Sequence, residues 1–149
     1  MNRRTFIQST VAGLSAEWTS RFKLAKSQAQ IDRDELIELA MTLARIPSFT
    51  TEETECARFL HDYFVSKGLE SELQEVDPGR FQTVARLRGT GGGQSLMLNG
   101  HIDIDPIPAG ISGDPWQPKI KGDTLWGAGL GNMKGGTAAM ALAAVAAGS

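Results

Sequence analysis

The sequence predicts an α/β fold, with helices laid on a mixed sheet in three layers. Three observations lead there. Residues 31–46 and 50–67 carry apolar side chains at helical spacing. Residues 69–76, 83–88 and 96–105 alternate or run apolar, as strands do. Residues 137–147 are small and apolar almost throughout, the pattern of a helix buried by its neighbours. Helices and strands interleave along the chain, and layering is the arrangement that buries the apolar faces of both.

The chain has 149 residues, enough for one domain with a real core. With 41% hydrophobic and 21% charged residues, its composition is that of a soluble globular protein. No apolar run is long enough for a membrane-spanning helix. The net charge of −2 is unevenly spread: residues 1–30 hold five Lys/Arg against one acid, and the remainder is net −6. A basic leader on an acidic body points to targeting. No basic stripe with interleaved aromatics is present, which argues against nucleic acid as a partner. The single cysteine, Cys56, excludes an internal disulfide.

Asn2-Arg-Arg-Thr-Phe-Ile-Gln8 has the form of a twin-arginine export signal, with twelve uncharged residues after Arg4, Thr5 to Ala16, and a small-x-small site at Ser27-Gln28-Ala29. Residues 1–30 are therefore read as an export signal or an unstructured leader. The protein is then exported to the periplasm, or else stays in the cytoplasm. In the first helix Leu36, Leu39, Ala40 and Leu43 form the apolar face, Asp32 or Asp34 caps the start, and Pro47 ends it. The second helix opens with Thr50 and Glu53 at capping-box spacing, buries Cys56, Phe59, Leu60, Tyr63 and Phe64, and closes at Gly68. Cys56 is thus a core thiol, and His61, at the edge of that face, is assigned no chemistry. Strands at 69–76 and 83–88 flank an Asp77-Pro-Gly turn. The glycines at 89–93 make a connecting loop; they lack the Gly-Lys-Ser/Thr ending of a phosphate-binding loop.

Residues 96–105 are the expected central strand. Alternation places His101 and Asp103 on one face and Ile102 and Ile104 on the other, towards a core. Gly100 allows close approach to the backbone just before the histidine. A neutral imidazole binds a metal through one nitrogen, and a carboxylate beside it fixes the ring. An irregular loop at 107–121, with Trp116 packed across it, and a turn with a short strand at 122–127 follow. Gly127-Ala-Gly-Leu-Gly-Asn-Met-Lys-Gly-Gly136 then opens the apolar helix. A dinucleotide fingerprint would need glycine at Asn132, so that match fails by one residue.

Gly100-His-Ile-Asp followed about thirty residues later by Trp-Gly-x-Gly-x-x-Asn-Met-Lys-Gly-Gly resembles the M20 family of metallopeptidases and deacylases, and Arg45-Ile-Pro-Ser48 resembles that family's opening segment. The resemblance covers residues 31–149. It implies a zinc-peptidase-like three-layer α/β/α catalytic domain, of which this chain is an N-terminal part. It also implies two zinc ions, for which cobalt can stand in, and an N-acyl amino acid or small peptide as substrate. A homodimer would form through a further domain. His101 matches a metal ligand. Asp103 matches the residue implicated in catalysis by orienting that histidine, and a cis peptide is implied after position 132. Asn132 stands where the family carries a bridging aspartate, and Ala128 where an arginine is common. The resemblance places the general-base glutamate and the remaining ligands beyond residue 149. Two other readings are carried forward: a non-catalytic relative whose impaired metal pocket only binds ligand, and a nucleotide-binding module on the glycine loop.

Overall fold

The computed structural model describes residues 30–148; the twin-arginine-type leader with its cleavage site, and Ser149, lie outside the described residues. The order is α1 (Arg33–Arg45), α2 (Thr54–Ser66), β1 (Glu70–Asp77), β2 (Arg80–Arg86), β3 (Lys119–Lys121), β4 (Thr124–Trp126), a kinked turn (Leu130–Lys134) with non-helical backbone at Asn132 and Met133, and α3 (Gly135–Ala146). This is a mixed α/β arrangement with two antiparallel sheets of two strands, β1–β2 and β3–β4. No helix among the described residues is long and apolar enough to cross a membrane.

Of the two acids expected to cap α1, Asp32 does so: its carboxylate accepts from the backbone N–H of Asp34 at 2.8 Å and of Glu35 at 3.2 Å. The helix stops before Pro47, with Ile46 extended as a residue preceding proline must be. The expected capping box on α2 is not formed, and the helix starts at Thr54. Both side chains find stronger tertiary partners. The Thr50 hydroxyl donates to Asp103, and the Glu53 carboxylate accepts from Arg80 Nε at 2.6 Å. A charge-assisted pair of this kind outcompetes a single capping bond. Gly68, at φ +80°, ends the helix as expected.

α2 lies on the β1–β2 hairpin, whose register runs from Glu70↔Arg86 to Asp77↔Arg80. Leu39, Ala40 and Leu43 of α1 meet Cys56 and Leu60 of α2 and Ala138 and Ala141 of α3 in one core. The hydroxyl of Thr83 on β2 donates to the Ala57 carbonyl and ties hairpin to helix.

Two expectations are corrected. Residues 96–105 are not a strand of a sheet: a single parallel bridge between Phe49 and Ile104 is their only β pairing among the described residues. Each hairpin pairs with itself, so among the described residues no neighbouring strand offers the extended segment a ladder of hydrogen bonds. Leu96 and Met97, expected in the interior, are 84% and 83% exposed. The apolar helix is also only partly covered. Thr137, Ala138, Ala141, Leu142 and Ala146 are buried, whereas Ala139 and Ala143 are exposed. α1 covers one side of it, and an all-apolar helix needs cover on every side.

Candidate functional site

Two segments build the site. The first joins the loop after α1 to the segment carrying the histidine. Fully buried Ser48 donates from Oγ to the Ile102 carbonyl at 2.7 Å, and its own carbonyl accepts from the Ile104 N–H at 2.8 Å. Ile104 is buried and Ile102 is half-buried against the core, so alternation turns His101 and Asp103 to the opposite face. The α3 residue Thr137 donates to the His101 carbonyl at 3.1 Å. A Cβ at Gly100 would stand 3.1 Å from Thr137 Oγ1 and 3.2 Å from Met133 Cε, so the absent side chain is what admits α3 so closely.

The second segment delivers Asn132. Gly129 sits at φ +71°, and a Cβ there would collide with Ile104. Both the backbone conformation and the space require glycine. Lys134 is fully buried and donates from Nζ to the carbonyls of Leu43, at 2.9 Å, and Ile46, at 2.6 Å. These lie at the C-terminal end of α1, where carbonyls lack helical partners and a cation is favoured. Burial depresses the Lys134 pKa. Two residues earlier, Asn132 projects toward the histidine, and the Asn132–Met133 peptide is cis, as the motif resemblance implies.

The three residues singled out in the sequence therefore meet. His101 Nδ1 lies 3.0 Å from the Asp103 carbonyl oxygen and 3.2 Å from its Oδ1. His101 Nε2 lies 3.0 Å from Asn132 Oδ1. Asp103 Oδ2 accepts from the Thr50 hydroxyl at 2.8 Å. That bond holds the Asp103 carboxyl below its ordinary range against its partial burial, with the facing imidazole adding to the effect. For His101, burial works to lower the pKa. The hydrogen bonds to the Asp103 carbonyl and to Asn132, with the Asp103 charge, outweigh it and leave the pKa raised.

With the Asp103 carbonyl oxygen and Oδ1 both facing Nδ1, the proton of a neutral ring belongs on Nδ1. The Nε2 lone pair is then aimed at Asn132. An imidazole nitrogen and an amide oxygen are donors a cation accepts. Among the described residues no group of three or more His, Cys, Asp or Glu could hold a metal ion, so this pair is a partial donor set. Ala128, at the position where the resemblance makes an arginine common, is buried and donates its N–H to the Pro115 carbonyl. Cys56 is fully inaccessible, and burial pushes its thiol up to about 11, as befits a core residue. His61 pairs with Ser71 Oγ at 3.1 Å, away from these groups. Sequence reasoning missed Thr50, Thr137 and Lys134. The one available signal was Lys134 itself, a cation directly before an apolar helix, which needs acceptors from elsewhere in the fold.

No family model matches the chain. It is 31% identical over 110 residues to succinyl-diaminopimelate desuccinylase of Buchnera aphidicola, covering 72% of this chain and 28% of that enzyme. To the enzyme of the same name from Wolinella succinogenes it is 36% identical over 105 residues, 70% of this chain and 28% of the relative. These matches are consistent with the resemblance of residues 31–149 to part of an M20-family chain. A Bacillus subtilis protein, N-formyl-4-amino-5-aminomethyl-2-methylpyrimidine deformylase, is 32% identical over 118 residues, 74% of this chain and 28% of its own length. The chain thus spans less than a third of the length of these M20 relatives, which by name remove a succinyl or a formyl group.

Proposed function

We propose that this chain supplies the His101 side of the active centre of a zinc-dependent amide hydrolase of M20 type, acting on small N-acyl compounds such as N-acyl amino acids or small peptides. The observation that carries this reading is the 3.0 Å approach of His101 Nε2 to Asn132 Oδ1. In the neutral ring with its proton on Nδ1, the Nε2 lone pair faces the amide oxygen and the two repel; a proton on Nε2 relieves this in the charged ring, and a cation shared between the two atoms would relieve it in the neutral one. His101 and Asn132 would hold the ion, and Asp103 would keep the ring in the tautomer that leaves Nε2 free. Zinc, or cobalt in its place, polarises an acyl carbonyl and lowers the pKa of water. A hydrolytic zinc uses three protein ligands, so the other donors, the second metal's ligands and the general base belong to residues other than those described. In this reading residues 31–149 are part of a three-layer catalytic domain, residues 1–30 direct export, and a homodimer forms through a further domain.

The competing reading is a non-catalytic relative. An Asn132 amide turned over donates its N–H to Nε2, and the pair satisfies itself without a cation. The nucleotide-binding reading is weaker. The glycine loop spends its N–H groups internally, Asn132 and Lys134 both donating to the Gly129 carbonyl and Gly135 to that of Leu130. Zinc titration of the 149-residue chain tests the proposal. Weak binding that His101→Ala abolishes is expected, with no turnover of N-acyl amino acids. Binding indifferent to His101→Ala removes the proposal, and no binding at all favours the self-satisfied pair.

A further inference from the structure

Thr50 precedes a helix and has the spacing of a cap, yet its hydroxyl is spent 53 positions away, on Asp103 Oδ2 at 2.8 Å. The other oxygen of that carboxylate is the one 3.2 Å from His101 Nδ1. A carboxylate is a rigid fork: fixing one oxygen fixes the direction of the other. The loop that carries Thr50 is itself stitched to the Asp103 segment from both sides, by Ser48 Oγ to the Ile102 carbonyl and by the Ile104 N–H to the Ser48 carbonyl. Thr51, the next residue, is held at φ +80°, a conformation a β-branched residue rarely adopts, so the turn is set by its surroundings and not by local preference. Nothing about a helix start demands this geometry, since α2 begins at Thr54 without a side-chain cap.

We infer that Thr50 is a positioning residue for the site: it locks the rotation of the Asp103 carboxylate, which in turn holds the His101 ring with Nε2 toward Asn132. The order of dependence runs from Thr50 through Asp103 to His101. A valine at position 50 keeps the shape of the side chain and removes only the donor. The Asp103 carboxylate is then free to turn toward solvent, and the ring keeps only the Asp103 carbonyl as a partner for Nδ1. Serine restores the hydroxyl. The inference deepens the hydrolase reading, and only its zinc arm rests on that reading.

The test compares the full 149-residue wild type with Thr50→Val, Thr50→Ala and Thr50→Ser. The first arm needs no metal. In mildly alkaline buffer, side-chain nitrogen NMR of His101 should give one Nδ1-protonated tautomer with a protected Nδ1–H in the wild type and in Thr50→Ser. In Thr50→Val and Thr50→Ala that protection should fall, because the Asp103 carbonyl alone then accepts from Nδ1, while thermal unfolding stays cooperative. The second arm is zinc affinity, expected to fall about tenfold in Thr50→Val and to return in Thr50→Ser, the cost typical of losing an outer partner of a ligand. If Thr50→Val does not fold, Thr50→Ala, which adds no methyl against the carboxylate, carries both arms. Unchanged His101 signals in the variants without the hydroxyl overturn the inference, as does failure of serine to restore them. A wild type that binds no zinc but shows the hydroxyl-dependent ring signals defeats the hydrolase reading and leaves the positioning role of Thr50 standing.

Discussion

His101 Nε2 and Asn132 Oδ1 lie 3.0 Å apart although 31 positions separate them in the chain. Their approach is produced at a distance from both. Lys134 is anchored to the end of α1, Gly129 is pressed against Ile104, and Thr137 grips the His101 carbonyl. The pair therefore reports how α1, α3 and the histidine segment fit together.

The neutrality of Asn132 is testable. Asn132→Asp places a negative charge and a second oxygen beside His101. Where cations gather, an anionic ligand offsets their repulsion. Zinc retained after dialysis at fixed free zinc should rise in Asn132→Asp and fall in His101→Ala. Asp103→Asn should retain more than His101→Ala, because Asp103 acts on the ring and not on the ion. Equal metal content in all four proteins would remove the case for a metal at this pair.

Lys134→Met should destabilise the fold by about 1–3 kcal/mol, since the Ile46 carbonyl loses the ammonium as a donor and the Leu43 carbonyl keeps only the Ile46 N–H. Burying an ammonium is itself costly, and that offsets part of the loss. Urea unfolding of the two proteins gives the difference. A variant as stable as the wild type would mean that these carbonyls find other donors.

Cys56 makes alkaline pH unfavourable to the fold. Its thiol has a pKa pushed up to about 11 by burial, against 9.0 when exposed. Between those values the unfolded chain ionises and the folded chain does not. The folded state then binds more protons, and stability falls as pH rises through this window. Two pKa units correspond to a loss on the order of 2–3 kcal/mol. The depressed pKa of Lys134 acts in the opposite sense, so the thiol's part is isolated as the difference between wild type and Cys56→Ala. That difference should narrow or reverse in favour of the variant at alkaline pH. A constant difference across the window would contradict the burial of the thiol.

Thr51→Gly should stabilise the protein by about 1 kcal/mol. Thr51 is exposed and sits at φ +80°, where glycine carries no steric cost. Thermal unfolding measures it, and a lower midpoint would mean that the threonine side chain has a partner worth more than the strain.

What the sequence determined by itself was local. Apolar spacing placed α1, α2 and α3, Pro47 and Gly68 marked helix ends, and the Asp77-Pro-Gly turn marked the β1–β2 hairpin. These rest on interactions within a few residues, which composition and spacing record directly. The motif pair also singled out His101, Asp103 and Asn132, and the resemblance carried the cis peptide between Asn132 and Met133. The tertiary structure alone decided the rest. Thr50 and Glu53 had cap spacing, but Asp103 and Arg80 claimed them. Residues 96–105 had strand character, yet a strand exists only where another strand offers hydrogen bonds, and none of the described strands lies beside it. Lys134 stands in the sequence only as part of the motif that opens the apolar helix, and two carbonyls at the end of α1 give it a buried place. Each of these outcomes is a competition between partners far apart in the chain, and spacing along a sequence carries no record of which partner wins.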